Sequence, residues 1–180
     1  MTQTARIYGG SLYDLAKEEG LTQAILEQAG EVEMLFSQNP SYRTLLAEPS
    51  LPKKERCGLL DQAFAESLHP YLLNFLKILC EENLLAEYSG CVEAYQERYD
   101  SDHGIARAKV YSAVALTESQ KQALRDRLQK QSGKQVILTE KLQPSVLGGL
   151  RVEMEGLQYD GTVAGRLRRL HRDLKETQEE

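Results

Sequence analysis

Cysteine is scarce in this chain: Cys57, Cys80 and Cys91 are the whole complement, and no two of them make a CxxC pair. An odd number without that spacing argues against a disulfide framework and suits a reducing cytoplasm. With His69 or His103 the thiols match no zinc-ligand spacing, and Cys80 and Cys91 fall on apolar faces, so they read as small core residues. Long apolar runs are missing too. The most apolar stretch, YLLNFLKILC at Tyr71–Cys80, falls far short of the roughly 20 residues of a membrane span and carries Asn74 and Lys77. The N-terminal MTQTARIYGGSLYDLAKEEG lacks the basic lead, apolar centre and small-residue cleavage site of a secretory signal, which argues against export. There is no GxxxxGK[ST], Gly148-Gly149 lacks GxGxxG spacing, and Ser145 has no GxSxG context. Nucleotide binding and catalysis therefore have no motif to rest on, and neither a cofactor nor a metal is expected.

What is present describes a folded, soluble protein: 41% hydrophobic and 27% charged residues in a chain of 180. The net charge of −5 conceals an asymmetry. Residues 1–103 hold 8 Lys and Arg against 17 Asp and Glu, whereas residues 104–180 hold 14 against 10. Two modules in different surroundings explain the split; so does a moderately acidic soluble protein.

The first 103 residues read as helices. Ala5, Tyr8, Leu12 and Leu15 recur at helical spacing from Thr4 to about Glu19, and Gly20 is placed to stop that helix. Gly9-Gly10 inside it leaves two readings open, a close approach by another backbone or a weak first turn. Thr22 is a candidate cap for a second helix on Ile25, Ala29, Val32 and Phe36. A short helix over Tyr42–Ala47 follows, and Pro52 suits the first turn of a fourth that reaches about Phe64. His69-Pro70 opens the apolar helix, in which Leu72, Phe75, Leu76 and Leu79 share one face while Tyr71, Leu73, Ile78 and Cys80 spread apolar surface elsewhere. A helix apolar all round needs cover all round, from the chain's own core or from a partner. A sixth helix carries Tyr88, Cys91 or Val92, Tyr95 and Tyr99 along one side. Short connections make the six an antiparallel bundle.

After Gly104 the apolar period changes from 3.6 to 2. Ala108, Val110, Ser112 and Val114 share one face of a strand predicted over Ala106–Leu116, opposite Arg107, Lys109 and Tyr111. Thr117-x-x-Gln120 is a capping box opening a helix that runs to Gly133. Gln135–Thr139 reads as a second strand and Leu150, Val152 and Met154 as a third. Gly156 and Asp160-Gly161 mark turns, and Val163, Leu167, Leu170 and Leu174 line a final helix. The fold class is thus α+β: an antiparallel six-helix bundle over 1–103 and a small α/β domain over 104–180. At about 75 residues the second module is near the lower limit for a self-sufficient core. Its basic final segment, with Arg166, Arg168, Arg169, Arg172 and Lys175, fits nucleic acid phosphates, a solvated helix face or an acidic protein partner.

Three stretches in order resemble the delta subunit family of bacterial F-type ATP synthase, counterpart of the mitochondrial oligomycin sensitivity conferral protein. ARIYGGSLYDLA at Ala5–Ala16 is similar to that family's opening A-x-x-Y-A-x-A-L-x-x-x-A, and NFLKILCEENLL at Asn74–Leu85 to its N-F-L-x-L-L-x-x-N-x-R-L. SVLGGLRVEMEGLQYDGTVAGRLRRL at Ser145–Leu170 follows its most specific segment. Departures are Gly9-Gly10 and Ser11 in place of a more alanine-rich pattern, Leu84-Leu85 without the basic residue, and Thr162 for serine.

The resemblance implies a non-catalytic stator connector at the cytoplasmic face of the cell membrane, peripheral to it and not inserted. Its first domain would receive the N-terminal helix of an alpha subunit of the catalytic head against the first and fifth helices. Its second would hold the b subunits of the peripheral stalk. Residues expected near the alpha-subunit groove are Tyr8, Gly9, Leu12, Leu72, Phe75, Leu76 and Leu79, the alternative being that they are core. Those expected to face the stalk are Leu147, Gly148, Gly149, Tyr159, Asp160, Gly161, Arg166 and Arg169, with the glycines and Asp160 equally readable as turns. A nucleic-acid-binding regulator is the rival reading.

Overall fold

The computed structural model describes residues 1–48, 50–146, 148–163 and 165. It is a mixed α+β chain of two compact units, with the division between Asp100 and Ser101. The first unit contains α-helices Gln3–Glu18 (α1), Thr22–Gln38 (α2), Pro40–Leu46 (α3), Lys53–Phe64 (α4), Pro70–Glu81 (α5) and Tyr88–Asp102 (α6), the last running just past the division. A 3-10 turn at Leu85–Glu87 precedes α6.

Local chemistry sets most of these ends. Thr2 caps α1, its hydroxyl accepting from the Ala5 N–H at 3.1 Å. Gly20, at φ +69°, ends it while the Leu21 N–H returns to the Ala16 carbonyl at 2.8 Å. At α5 the His69 ring nitrogen accepts from the Tyr71 N–H and Pro70 occupies the first turn. Asn83, at φ 58°, closes its far end, with the Leu84 N–H bonded to the Leu79 carbonyl at 2.7 Å. Three starts differ from the sequence reading. Thr22 is the first residue of α2 and not its cap, because the return of Leu21 onto α1 puts Leu21 at the cap without a side-chain bond. The third helix opens two residues early on Pro40, whose fixed φ suits a first turn, and Pro52 stands at the cap of α4 rather than inside it.

One apolar core draws on all six helices, with Ile25, Leu46, Leu60, Leu72, Leu76 and Leu79 fully enclosed. Its buried tyrosines are partnered. The buried Tyr88 and Tyr95 hydroxyls donate to the Ala29 and Thr22 carbonyls of α2 at 2.9 and 2.8 Å, and burial pushes both phenols well above their usual range. Between α1 and α6 the packing is at backbone distance. A Cβ on Gly9 would stand 2.2 Å from the Cys91 carbonyl oxygen, and one on Gly90 2.9 Å from the Ala5 Cβ. Close approach is thus the reading that holds for Gly9. Burial pushes the Cys91 thiol in this seam up to about 11, Glu87 adding to the rise and the Gly9 backbone opposing it.

The second unit contains Ile105–Ser112 (β1), Glu118–Ser132 (α7), Gln135–Leu142 (β2), Leu150–Met154 (β3) and Leu157–Asp160 (β4). The sheet order is β2-β1-β3-β4, with β1 and β2 parallel and the other pairs antiparallel. Ala106, Ala108, Val110, Val136, Val152 and Met154 form its inner face with Leu128 of α7. The capping box is present, the Thr117 and Gln120 side chains each bonding the other's backbone N–H. Strand β1 stops at Ser112 rather than Leu116, because the chain turns off to start α7. Glu140 of β2 accepts the Leu116 N–H at 2.6 Å, a bond that holds its carboxyl below the usual range, and Val114 is left 73% exposed instead of on the inner face. Strand β4 is absent from the sequence reading. It pairs with β3 across the two-residue turn Glu155-Gly156, both at positive φ, a geometry matching hairpin twist. Val163 and Gly165 are helical; the expected Leu167, Leu170 and Leu174 lie outside the described residues.

The glycines of the first unit yield a contrast. Gly9→Ala should destabilise by about 1–3 kcal/mol despite its better helix propensity, because the methyl meets backbone. Gly30→Ala in α2, where a Cβ meets nothing within 4 Å, should stabilise by up to about 1 kcal/mol. Urea unfolding of the two variants checks the ordering; equal effects would contradict the close α1–α6 approach.

Candidate interaction surfaces

An open groove of about 490 Å³ runs between α1 and α5, its floor shared with the edge of the core at Leu12 and Phe75. From α1 it is lined by Ile7, Tyr8, Ser11, Leu12 and Leu15, and from α5 by Tyr71, Asn74, Phe75 and Ile78. Ile7 is 58% exposed, Leu15 39% and Ile78 46%, a concentration of open aliphatic surface that no described element of the first unit covers. The helices run in opposite senses here. Tyr71, at the start of α5, lies near Glu19, just past the end of α1, whose carboxylate, with some burial, raises the phenol.

Helical spacing continues both stripes into acid. Glu18 and Glu19 lie one turn beyond Leu15, Glu82 lies one turn beyond Ile78, and all three are exposed. No Lys or Arg occupies these stripes. The groove is therefore apolar along its floor and negative at its ends.

Of the residues the sequence pointed to, Tyr8, Leu12 and Phe75 line this groove. Leu72, Leu76 and Leu79 do not: each is 0% exposed and belongs to the core. Gly9 also faces inward, under the Cys91 carbonyl. Leu72, Leu76 and Leu79 lie on the stripe that α5 turns to the core of its own chain, and Gly9 lies in the seam with α6. The lining residues that reading passed over are Ile7, Ser11, Leu15, Tyr71, Asn74 and Ile78. Ile78 and Tyr71 carried the available signal, being large apolar residues off the main stripe.

In the second unit, Tyr159, Asp160 and Gly161 share a cleft of about 800 Å³ with Leu124, Leu128 and Arg127 of α7 and Leu150 and Val152 of β3. The Gln131 amide donates to the Tyr159 hydroxyl at 3.2 Å across it. Gly148 and Gly149 border an adjoining hollow of about 540 Å³.

The glycines have a structural task there. Gly149 sits at φ +85°, and a Cβ on it would stand 2.5 Å from the Gly161 carbonyl oxygen, so the loop after β2 lies directly on the loop after β4. Asp160 Oδ1 accepts from the Thr162 N–H at 3.0 Å and from its hydroxyl at 2.6 Å, and the Thr162 hydroxyl accepts from the Gly165 N–H at 2.9 Å. These bonds make Asp160 and Thr162 a turn and helix cap. Leu147, Arg166 and Arg169 lie outside the described residues.

Among the described residues no group of three or more His, Cys, Asp or Glu is arranged to hold a metal ion, and no helix is long and apolar enough to cross a membrane. The geometry offers an open apolar groove in the first unit and two hollows in the second. The profile of the family described as ATP synthase delta (OSCP) subunit matches residues 4–174, so the chain belongs to that family. The chain is 34% identical over 170 residues to ATP synthase subunit delta 2 of Syntrophotalea carbinolica, covering 94% of this chain and 95% of that one. It is 32% identical over 177 residues to subunit delta of Anaeromyxobacter dehalogenans, covering 98% and 99%. A chain in the cryo-EM structure of the Toxoplasma gondii mitochondrial ATP synthase hexamer shares the fold, with a TM-score of 0.74 at 18% identity over 97% of this chain and 98% of that one.

The division of α5 into a core face and a groove face is open to test. Leu76→Ala should cost about 2–5 kcal/mol by urea unfolding, whereas Ile78→Ser should change stability by less than about 1 kcal/mol. Similar losses for both would place Ile78 in the core.

Proposed function

We propose that the chain is a stator connector of ATP synthase, joining the catalytic head to the peripheral stalk so that the head does not turn with the rotor. It has no reaction of its own; rotation driven by proton flow is converted into ATP elsewhere in the complex. In this reading α1 to α6 form an antiparallel bundle that receives the N-terminal helix of an alpha subunit in the α1–α5 groove. The second unit holds the b subunits of the stalk through the region of the α7–β3 cleft and the basic final segment. The protein is then peripheral, at the cytoplasmic face of the membrane. The rival reading as a nucleic-acid-binding regulator is set aside, because the family and the relatives just described are ATP synthase subunits.

The observation that carries the first contact is the exposed aliphatic wall of Ile7, Leu15 and Ile78 in a groove lined by parts of two helices. An amphipathic helix laid there removes apolar surface from water at about 25 cal/mol per Å² before the costs of association are subtracted. The acidic ends favour a guest with Lys or Arg flanking its apolar stripe, and that preference weakens as salt rises.

Calorimetric titration of the full chain with an alpha-subunit N-terminal peptide tests this. Ile78→Asp should lower affinity more than about tenfold without unfolding the chain, since a charge then sits on the apolar floor. Replacing Glu18, Glu19 and Glu82 by Gln should weaken binding at low salt only. Unchanged affinity in Ile78→Asp would remove the groove from the contact.

A further inference from the structure

We propose that Cys57 and Cys80 form an oxidative modification site, at which hydrogen peroxide links α4 to α5 through a disulfide. The two helices pack antiparallel in steady register. Lys77 Nζ lies 2.6 Å from Asp61 Oδ1, and one turn further along Cys57 Sγ donates to Glu81 Oε1 at 3.7 Å. That register sets Cys80, the neighbour of Glu81, beside Cys57, and each thiol is near enough to shift the titration of the other.

Access is graded. Cys57 is half-buried and open to a small oxidant, while Cys80 is buried with its sulfur 3.5 Å from the Leu46 carbonyl oxygen. A cation stands beside the inner thiol. Arg56 is 3% exposed, donates to the neutral Leu46 carbonyl and Asn83 side-chain oxygen at 3.2 and 2.9 Å, and leaves its Nε without an acceptor. A buried guanidinium bonded only to neutral groups retains charge for a thiolate. Burial raises both thiols, and Arg56 works against that rise at Cys80. The pair is therefore suited to sustained oxidant exposure and not to rapid signalling. Cys91, in the α1–α6 seam, belongs to a different contact.

The steps balance. The Cys57 thiolate attacks one peroxide oxygen, the O–O bond breaks, and hydroxide leaves a sulfenic acid on Cys57. The Cys80 thiolate attacks that sulfur, the S–S bond forms and a second hydroxide departs. With the two thiol protons, one peroxide becomes two waters.

The test is peroxide treatment of the native full chain, alkylation of the remaining thiols after denaturation, and intact-mass and non-reducing peptide mapping. The expected product has lost two hydrogens, carries one alkylated cysteine at Cys91 and yields a peptide linking Cys57 to Cys80. Cys91→Ser should keep that link, and Cys57→Ser and Cys80→Ser should each abolish it. Oxygen added to Cys57 without a linked peptide, or a link that includes Cys91, would overturn the proposal.

Discussion

In the first unit α1 and α6 meet at backbone distance, where Gly9 lies against the Cys91 carbonyl and Gly90 against Ala5. No side chain larger than hydrogen fits at Gly9 without moving backbone. That approach fixes which side of α1 is spent on its own chain: Ala5, Gly9, Tyr13 and Ala16 are buried. Ile7, Ser11 and Leu15 are consequently left facing outward beside α5. The glycine thus governs the groove from behind while contributing nothing to its lining. Its cost to helix propensity is offset by the close packing it permits.

Polar groups set the order of the remaining helices. Tyr88 and Tyr95 tie α6 to two carbonyls of α2, and their hydroxyls specify a position that apolar contact alone leaves free to slide. Arg56 does the same for the end of α3 and the loop after α5. With α5 held between its caps and Arg56, its core stripe and its groove stripe face fixed neighbours. In the second unit Glu140 has a comparable part, fastening the loop between β1 and α7 through the Leu116 N–H and the Lys121 ammonium group, 3.3 Å away.

The alternation of apolar period was legible because it reports which side of each element is buried. Gly20, the His69-Pro70 start and the Thr117–Gln120 box were legible because capping is local chemistry. The length of β1, the existence of β4 and the role of Thr22 were not, since each depends on a partner strand or on the preceding helix's return. The groove was half legible. Tyr71–Cys80 showed too much apolar surface for one stripe; Leu72, Leu76 and Leu79 of its main stripe go inside and Ile78, off that stripe, stays outside beside α1. A sequence shows how much surface a helix must cover, while the neighbouring helices decide which side each residue faces.

We propose that the α1–α5 groove seats a helix from the catalytic head. Amide chemical-shift mapping of the full chain by NMR, titrated with head subunits or an alpha-subunit N-terminal peptide, addresses it without altering any residue. The largest shifts are expected at Ile7, Ser11, Leu15, Asn74 and Ile78, with residues 105–163 unmoved by the peptide. Shifts concentrated in the second unit, or none along α1 and α5, would contradict it.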